Sequence, residues 1–291
     1  QCKADQCENT CCQLWTIDID EPTAERYHSM TGSLGESLRQ AITVDDEGSH
    51  FIFSKTQPMC PLLNEKGLCK VVLELGEEGL CDTCHMHPRF YKYIEDLELC
   101  GVGLSCEASV ELLARQEPMD LLLFTIEDDH NEFNSEERLT LHNVFELLAF
   151  DLDPNLFQYT PSPSKQAFKE LLDLYKQTEP IDENWTAQVN TLSGKLDQLI
   201  ASVQTYIQQE DMSLFNKVYQ YILYRQIDML SDYSLESILA YAKDATDYIL
   251  IASALEGQPL KQVARWSQQI EYDEDNVALL LQHYEAQLII E

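Results

Sequence analysis

The sequence predicts a mainly α-helical protein in which a small, irregular, cysteine-rich metal-binding module with a few short strands precedes an all-helical domain. All ten cysteines lie at or before Cys106, and none follows. Beyond that point apolar residues recur at three- and four-residue spacing, which is typical of amphipathic helices. We therefore predict a Cys-rich metal or iron–sulfur module at residues 1–109 and a helical domain at residues 110–291.

The first module shows only short elements. Residues 15–20 alternate with period two and predict a short strand. Asp20 with Pro22 is a typical helix start, which predicts a helix to about Met30. A second strand is expected at residues 50–54 and a short helix at residues 69–75, whereas residues 31–59 show few apolar positions at helical spacing.

The second domain consists of helical segments separated by prolines. Eight segments have the helical spacing: residues 107–115, 137–150, 164–177, 184–208, 212–230, 235–255, 259–271 and 274–290. We expect no repeat architecture, because no segment recurs at a fixed period.

Composition limits the classes of function. The formal net charge is −32, which disfavours a nucleic-acid partner because phosphate binding needs clustered Lys and Arg. A basic protein partner would be attracted, although such a charge also simply keeps a protein soluble. The apolar runs are too short to cross a bilayer and no signal sequence opens the chain, so we expect a cytoplasmic protein without a membrane partner.

Cysteines confined to one third of a chain predict metal binding rather than disulfides. Thiolates select zinc, copper(I) or iron–sulfur clusters. Only Cys81 and Cys84 form the compact pair typical of zinc knuckles, and thiols scattered over separate segments favour an iron–sulfur cluster over zinc. One four-thiolate cluster with spare thiols and two metal sites both fit the count, and His85 and His87 are candidate ligands or donors beside the ligands.

Several motifs together resemble one known family. They are Cys2-x4-Cys7-x3-Cys11-Cys12-x2-Trp15, the run from Cys60 to Cys69, Leu80-Cys-x2-Cys84-x3-Pro88-Arg89, Leu104-Ser-Cys106, Phe215 through Tyr224-Arg225, and Trp266-Ser267-x2-Ile270-Glu271. The pattern resembles the flagellin lysine N-methylase family, and its cysteine part is similar to zinc- or iron-chelating domains. Cys100 lies outside the pattern, and Tyr272 stands where the family suggests a histidine.

The resemblance implies a 4Fe–4S cluster and transfer of a methyl group from S-adenosylmethionine to a lysine-bearing protein, flagellin in the characterised members. It suggests these metal ligands: Cys2, Cys7, Cys11, Cys12, Cys60, Cys69, Cys84 and Cys106. Neither a radical S-adenosylmethionine Cx3Cx2C motif nor a GxGxxG turn is present, so neither established mechanism follows from the sequence.

A lysine must lose a proton before it can be methylated, so a base or a desolvated pocket is needed. Tyr221, Tyr224, Arg225 and Asp228 have the spacing of one helix face. We predict Tyr221, Tyr224 and Glu271 as catalytic residues, and Trp15 and Arg225 as cofactor-binding residues. The alternative for the tyrosines is core packing. The alternative for the protein is a non-catalytic sensor or adaptor that holds zinc or an iron–sulfur cluster and docks a basic partner.

Overall fold

The computed structural model describes residues 2–8, 10–13, 15–46, 48–53, 58–95, 97–115, 121–126 and 133–290, with the backbone alone described at residues 122–126, 133–137, 289 and 290. This part of the chain contains thirteen α-helices and a few short strands, which confirms the mainly α prediction. The chain forms two compact units. The first comprises Gln1–Tyr91 and Cys100–Ser109, and the second comprises Lys92–Leu99 and Val110–Glu291. The domain division at residues 109 and 110 stays a prediction.

The first unit combines short helices with a three-stranded antiparallel sheet of order β1-β3-β2 and the base of a hairpin. Its strands are β1 (Asp18–Ile19), β2 (Ile42–Asp45) and β3 (Gly48–Phe51), followed by the hairpin strands β4 (Arg89–Ile94) and β5 (Leu97–Val102). Its helices are α1 (Glu21–Ser29), α2 (Gly32–Ala41), α3 (Lys70–Leu75) and α4 (Asp82–Met86), and α5 (Glu107–Arg115) begins in this unit.

Local chemistry explains where α1 begins. The Asp20 carboxylate accepts a hydrogen bond from the Thr23 backbone N–H at 2.9 Å, and Pro22 occupies the first turn, as the sequence predicts. Such a side-chain cap satisfies one of the backbone donors that a helix leaves open at its start.

Helix α2 was not expected, because residues 31–59 offer few apolar positions at helical spacing. Three such positions are enough here: Leu34, Leu38 and Ala41 are all buried. Gly35, which in a sequence argues against a helix, is required by packing. A Cβ atom added there would lie 2.2 Å from the carbonyl oxygen of Met30 at the end of α1.

A small hydrophobic core joins these elements, and two thiols belong to it. Ile17, Tyr27 and Leu38 are among its buried members, and Cys60 and Cys81 are buried in the same cluster. The thiol-bearing segments therefore pack as part of the core of the first unit.

The second unit is helical except for two hairpins. Strands β6 (Leu121–Ile126) and β7 (Phe133–Leu139) form an antiparallel pair, and the tip of the β4–β5 hairpin also belongs to this unit. The sequence predicts an all-helical domain, and the two hairpins correct that prediction. The apolar run at residues 121–126 pairs along its length with β7, and residues 137–139 lie in that strand rather than in the predicted helix.

Beyond the strand at residues 137–139, the helices of the second unit follow the predicted segments with three further differences. They are α6 (Leu141–Leu147), α7 (Lys165–Tyr175), α8 (Glu183–Gly194), α9 (Leu196–Gln209), α10 (Ser213–Arg225), α11 (Leu235–Glu256), α12 (Pro259–Trp266) and α13 (Glu274–Ile290). The segment 184–208 divides at Lys195, directly after Gly194. The segment 212–230 ends as an α-helix at Arg225, and 259–271 ends in a π-helical turn, Ser267–Glu271.

Helix α11 lies at the centre of this unit, with most of its residues buried. Tyr248 on α11 stacks on Tyr175 of α7 with ring centroids 4.6 Å apart, and Trp185 of α8 lies 5.0 Å from Tyr248. The indole N–H of Trp266 at the end of α12 donates to the Tyr175 hydroxyl at 3.0 Å. This aromatic core fixes the end of α12, from which the π-helical turn begins. Within the described part of the chain, no helix is both long and apolar enough to cross a membrane.

Candidate functional site

The thiols of the first unit are held by short backbone connections. The backbone N–H of Cys60 donates to the Cys12 carbonyl oxygen at 2.8 Å, and the neighbouring residues Gln13 and Met59 form an antiparallel bridge. Cys69 directly precedes α3, and Cys81 directly precedes α4, which contains Cys84. The structure thus brings cysteines from three separate stretches of sequence into one region.

Neighbouring thiols shift each other's pKa in opposite directions. The Cys84 thiol donates a hydrogen bond to Cys81, which raises the pKa of Cys84 and lowers that of Cys81. In the same way, the bond between Cys11 and Cys12 raises the pKa of Cys11 and lowers that of Cys12 to about 7. Burial raises the pKa of Cys60 to about 12. One sulfur of each pair is therefore favoured as a thiolate, the form that binds metals.

The donor chemistry fits a thiophilic metal group. All ten cysteines are free thiols and lie in the first unit, and sulfur donors match the ligand preference of zinc and iron–sulfur clusters. Among the described residues, no three His, Cys, Asp or Glu side chains converge closely enough to hold a single metal ion. Cys81, which the predicted ligand set omits, is 1% exposed and hydrogen-bonded to Cys84, so it belongs with the candidate ligands. Its CxxC spacing was the available signal.

Trp15, predicted to bind a cofactor, lies in this thiol-rich region. Its indole N–H donates to the Cys11 carbonyl oxygen at 2.7 Å, and its ring centroid is 5.9 Å from that of His87. Burial lowers the pKa of His87 to about 4, so its imidazole is neutral at physiological pH. A neutral imidazole can act as a metal ligand.

A second candidate site lies in the helical unit, around Glu271. This carboxylate is on the π-helical turn and its side chain is 1% exposed. It accepts hydrogen bonds from the Tyr221 hydroxyl at 2.5 Å, the Ser267 hydroxyl at 2.6 Å and the Arg225 Nε at 3.0 Å. A buried carboxylate needs such donors, because removing its charge from water is otherwise very unfavourable. We call this group of four residues the Glu271 network.

Three residues named from the sequence therefore meet in one network: Tyr221 and Arg225 from the end of α10, and Glu271 from 46 or more residues further along the chain. Tyr224 is buried on the same helix. Their catalytic and binding roles stay predictions. Ser267 belongs to the motif quoted above but was not predicted as a site residue, although its position four residues before Glu271 was the available signal.

Asp228 is not on the helix face where the sequence placed it. Helix α10 ends at Arg225, and Asp228 lies in the 3-10 turn Ile227–Ser231, where its carboxylate pairs with the Lys92 ammonium at 2.7 Å. The expected i+7 position requires one more helical turn than the chain makes.

Burial sets the protonation of Tyr221 in the Glu271 network. It raises the pKa of Tyr221 far above the ordinary value, and the negative charge of Glu271 adds to that effect. Tyr221 consequently remains a hydrogen-bond donor at physiological pH. Arg225 supplies the positive charge opposite Glu271, and 13% of its side chain is exposed.

Comparison with known proteins finds distant relatives. The chain is 28% identical over 131 residues to the Lysine-N-methylase of Salmonella typhimurium (strain LT2), in an alignment that covers 43% of this chain and 33% of that protein. It is 27% identical over 110 residues to the Flagellar biosynthetic protein FliU of Salmonella muenchen, covering 36% of this chain and 65% of that protein. The alignments thus span a third of the first relative and less than two thirds of the second. No family model and no solved structure matches the chain.

Proposed function

We propose that this chain is a protein lysine N-methyltransferase that uses S-adenosylmethionine, carries a 4Fe–4S cluster and acts on a flagellin-like acceptor. The names of the two relatives support the reaction and the flagellar connection. The observation that carries the proposal is the Glu271 network, because a carboxylate shielded from water is suited to take a proton from an ammonium group.

The reaction begins with the acceptor lysine, whose side chain is protonated at neutral pH, with an unperturbed pKa near about 10.4. In our proposal, the Glu271 carboxylate takes that proton and Tyr221 stays protonated as its hydrogen-bond donor. The neutral amine then attacks the methyl carbon of the sulfonium. A nitrogen–carbon bond forms, the carbon–sulfur bond breaks, and its electron pair remains on sulfur, which leaves as a neutral thioether.

Arg225 occupies the place of the incoming cation in this proposal. Its Nε lies 3.0 Å from Glu271, and part of the side chain reaches the surface. When the acceptor lysine enters and its ammonium displaces this guanidinium, the Glu271 carboxylate keeps a positively charged partner.

The cluster belongs in the first unit, with ligands drawn from the thiols around Cys60: Cys12, Cys60, Cys69, Cys81 and Cys84. Once bound, a cluster would cross-link these chain segments through its thiolate ligands. Methyl transfer from a sulfonium to an amine requires no net electron transfer, so the proton and charge chemistry falls to the Glu271 network.

The test uses the anaerobically purified, iron-loaded chain. We expect calorimetric titration to show binding of S-adenosylmethionine, and mass spectrometry of purified flagellin to show the gain of methyl groups on lysines. Glu271→Gln should lower the rate by about 10²–10⁴-fold, the usual contribution of a general base. Glu170→Gln, at an exposed position of α7, is the matched control and should keep the wild-type rate.

Absence of donor binding to iron-loaded protein would overturn the enzyme proposal and leave the metal-holding adaptor. Full activity of Glu271→Gln would overturn the assignment of the base. If the purified protein contains no iron and shows no absorbance at about 400 nm, the cluster proposal is overturned.

A further inference from the structure

The π-helical turn that carries Glu271 is joined to the loop before α8. All five residues of the turn, Ser267–Glu271, are buried. The loop consists of residues 176–182, which connect α7 to α8. Two side-chain amides bind the loop: that of Gln269, which lies in the turn, and that of Asn276, which lies in the first turn of α13. These residues are 1% and 2% exposed.

Both amides bind the same backbone carbonyl group. The carbonyl oxygen of Glu179 accepts hydrogen bonds from Gln269 Nε2 at 2.6 Å and from Asn276 Nδ2 at 3.0 Å. A carbonyl oxygen has two lone pairs, so these two bonds use its full capacity. The backbone N–H of Glu179 donates to Asn276 Oδ1 at 2.8 Å, and that of Ile181 donates to Gln269 Oε1 at 2.7 Å. We call Glu179, Gln269 and Asn276 the amide clamp.

A further hydrogen bond joins the amide clamp to the backbone of the turn. Asn276 Nδ2 also donates to the backbone carbonyl oxygen of Gln269 at 3.1 Å. This carbonyl lies near the end of the turn, where the carbonyl groups of a helix lack partners within the helix. The Asn276 side chain therefore holds the loop and the end of the turn at once, and the carbonyl that it binds lies two residues before Glu271.

The π-helical turn decides in which direction the Glu271 side chain points. Its hydrogen bonds span five residues instead of four, so the turn takes in one extra residue. Each residue of an α-helix rotates the side-chain direction by about 100° around the helix axis. If α12 continued as an α-helix, Glu271 would point about 100° away from its present direction. Tyr221 and Arg225, which both donate to Glu271 Oε1, would then lose their acceptor.

We propose that Gln269 and Asn276 are positioning residues for Glu271. By holding the π-helical turn against the loop, the two amides keep the carboxylate directed at the amine that it deprotonates. This role rests on the proposed function, in which Glu271 takes the proton of the acceptor lysine. A loop that only needs partners for its own N–H and C=O groups does not require the additional bond from Asn276 to the turn.

A double-mutant cycle on the stability of the full chain tests this positioning without an assay of activity. Tyr221→Phe removes a hydroxyl whose hydrogen bond depends on the direction of Glu271. We therefore expect Tyr221→Phe to lower the free energy of unfolding less in the Asn276→Ala background than in the wild type. Urea unfolding of the four proteins measures the difference. If Asn276→Ala does not fold, Gln269→Met, which keeps the length of the side chain, takes its place in the cycle.

Asn216→Ala is the matched control for the cycle. Asn216 Oδ1 accepts a hydrogen bond from the backbone N–H of Tyr159 at 2.8 Å, so this side chain also holds a loop, but a different one from the loop before α8. In the Asn216→Ala background, Tyr221→Phe should have the same effect on stability as in the wild type, because independent sites are additive.

Methyl transfer to purified flagellin gives the second readout. Asn276→Ala and Gln269→Met should lower kcat by about 10²-fold, the effect of a small misplacement of a reacting group, and should leave KM for flagellin near its wild-type value. Asn216→Ala should keep both constants. Additive effects of Asn276→Ala and Tyr221→Phe on stability, or an equal loss of kcat in Asn216→Ala, would overturn the positioning role. A wild-type chain without methyl transfer would overturn the proposed function, whereas the stability cycle would still decide whether the amide clamp holds Glu271.

Discussion

At the scale of single residues, the Glu271 network holds a carboxylate and a guanidinium together in the buried interior of the second unit. The Glu271 carboxylate receives two hydroxyl donors and one guanidinium, and Tyr221 and Arg225 bond the same carboxylate oxygen. Hydrogen bonds to a charged group contribute about 1.5–3 kcal/mol, roughly twice those between neutral groups. Removing one of these donors leaves a buried charge less satisfied, which lowers stability whether or not the network also acts in catalysis.

Replacing Tyr221 separates these two roles. Tyr221→Phe removes the hydroxyl donor and leaves one oxygen of a buried carboxylate less satisfied. We expect the free energy of unfolding to fall by about 2 kcal/mol and methyl transfer to fall at least tenfold. Urea unfolding and the flagellin assay measure the two effects.

Tyr219→Phe is the control on the same helix. The Tyr219 hydroxyl is also buried, but it donates to the neutral carbonyl oxygen of Leu156 at 2.9 Å. Its removal should lower stability by about 1 kcal/mol and leave methyl transfer unchanged. Equal losses of activity in Tyr219→Phe and Tyr221→Phe would show that activity merely follows stability.

A buried carboxylate on α11 should make stability depend on pH. Burial raises the pKa of Asp244, while the Tyr284 hydroxyl, at 2.8 Å, partly opposes that shift. Asp247, Lys243 and His283 are the charged neighbours. The pKa of Asp244 in the folded protein lies above its unfolded value, which is about 3.9. The stability that Asp244 contributes is therefore fully present below the unfolded pKa and is lost as the pH rises through the folded pKa.

Asp244→Asn should therefore raise the melting temperature at neutral pH, and the difference should disappear toward pH ~4. Asp173→Asn tests the opposite sign, because Lys169 and Lys176 lower the pKa of Asp173 to about 2 on an exposed face. That variant should be slightly less stable at neutral pH. A gain in stability for Asp244→Asn that does not change between pH 4 and 7 would contradict the assignment.

At the scale of elements, sequence reasoning succeeded where local signals were complete. The Asp20 cap and Pro22 identify the start of α1, and α13 covers the predicted residues 274–290. It missed α2 because residues 31–59 offer few apolar positions at helical spacing, whereas Gly35 lets α2 approach the backbone of Met30. That approach is a tertiary contact, which no local pattern reports.

For the candidate sites too, local sequence patterns predicted some features, whereas others depend on the folded structure. Cysteine spacing predicted the metal module, which stays a prediction, and the family pattern named Tyr221, Arg225 and Glu271. Their meeting depends on a π-helical turn after α12, which places Glu271 opposite the end of α10. Such turns are frequent at functional sites, and helical periodicity does not predict them. The predicted place of Asp228 on the same helix face is wrong for a related reason, because α10 ends at Arg225.

The loop before Cys81 is positioned by two neighbouring residues of α1. The Tyr27 hydroxyl donates to the Gly79 carbonyl oxygen at 2.7 Å, and the Arg26 guanidinium donates to the carbonyl oxygens of Gly79 and Leu80 at 3.0 and 3.3 Å. These bonds cover backbone acceptors directly before the Cys81–Cys84 pair. Helix α1 therefore holds the thiol pair in place without contributing a ligand.

Tyr27→Phe should loosen that loop. We expect a loss of about 1 kcal/mol in stability and faster release of iron to a chelator, because the Cys81–Cys84 pair loses one fixed support. Tyr91→Phe, at a 47% exposed position, should release iron at the wild-type rate. Unchanged iron release from Tyr27→Phe would show that the cluster ligands hold the loop without help from α1.

At the scale of the whole molecule, charge is the dominant property. The chain carries 51 acidic against 19 basic side chains, and described acids such as Asp247 and Glu271 are paired within the fold. The many exposed acids create a negative field that attracts basic proteins and repels nucleic acid. A lysine-bearing acceptor would experience this attraction before any specific contact forms.

Salt should therefore weaken capture of the acceptor more than it affects the chemical step. The Debye length falls from about 30 Å at 0.01 M to about 3 Å at 1 M ionic strength, so attraction over the surface is lost while the buried Glu271 network is little screened. We expect KM for flagellin to rise several-fold between low and high salt, with kcat changing less than about twofold. Steady-state kinetics across a sodium chloride series measure both constants.

An acceptor whose non-target surface lysines are acetylated is the control. Its KM should depend less steeply on salt, because it lacks the charge that the field attracts. A salt-independent KM would mean that capture depends on short-range contacts rather than on net charge.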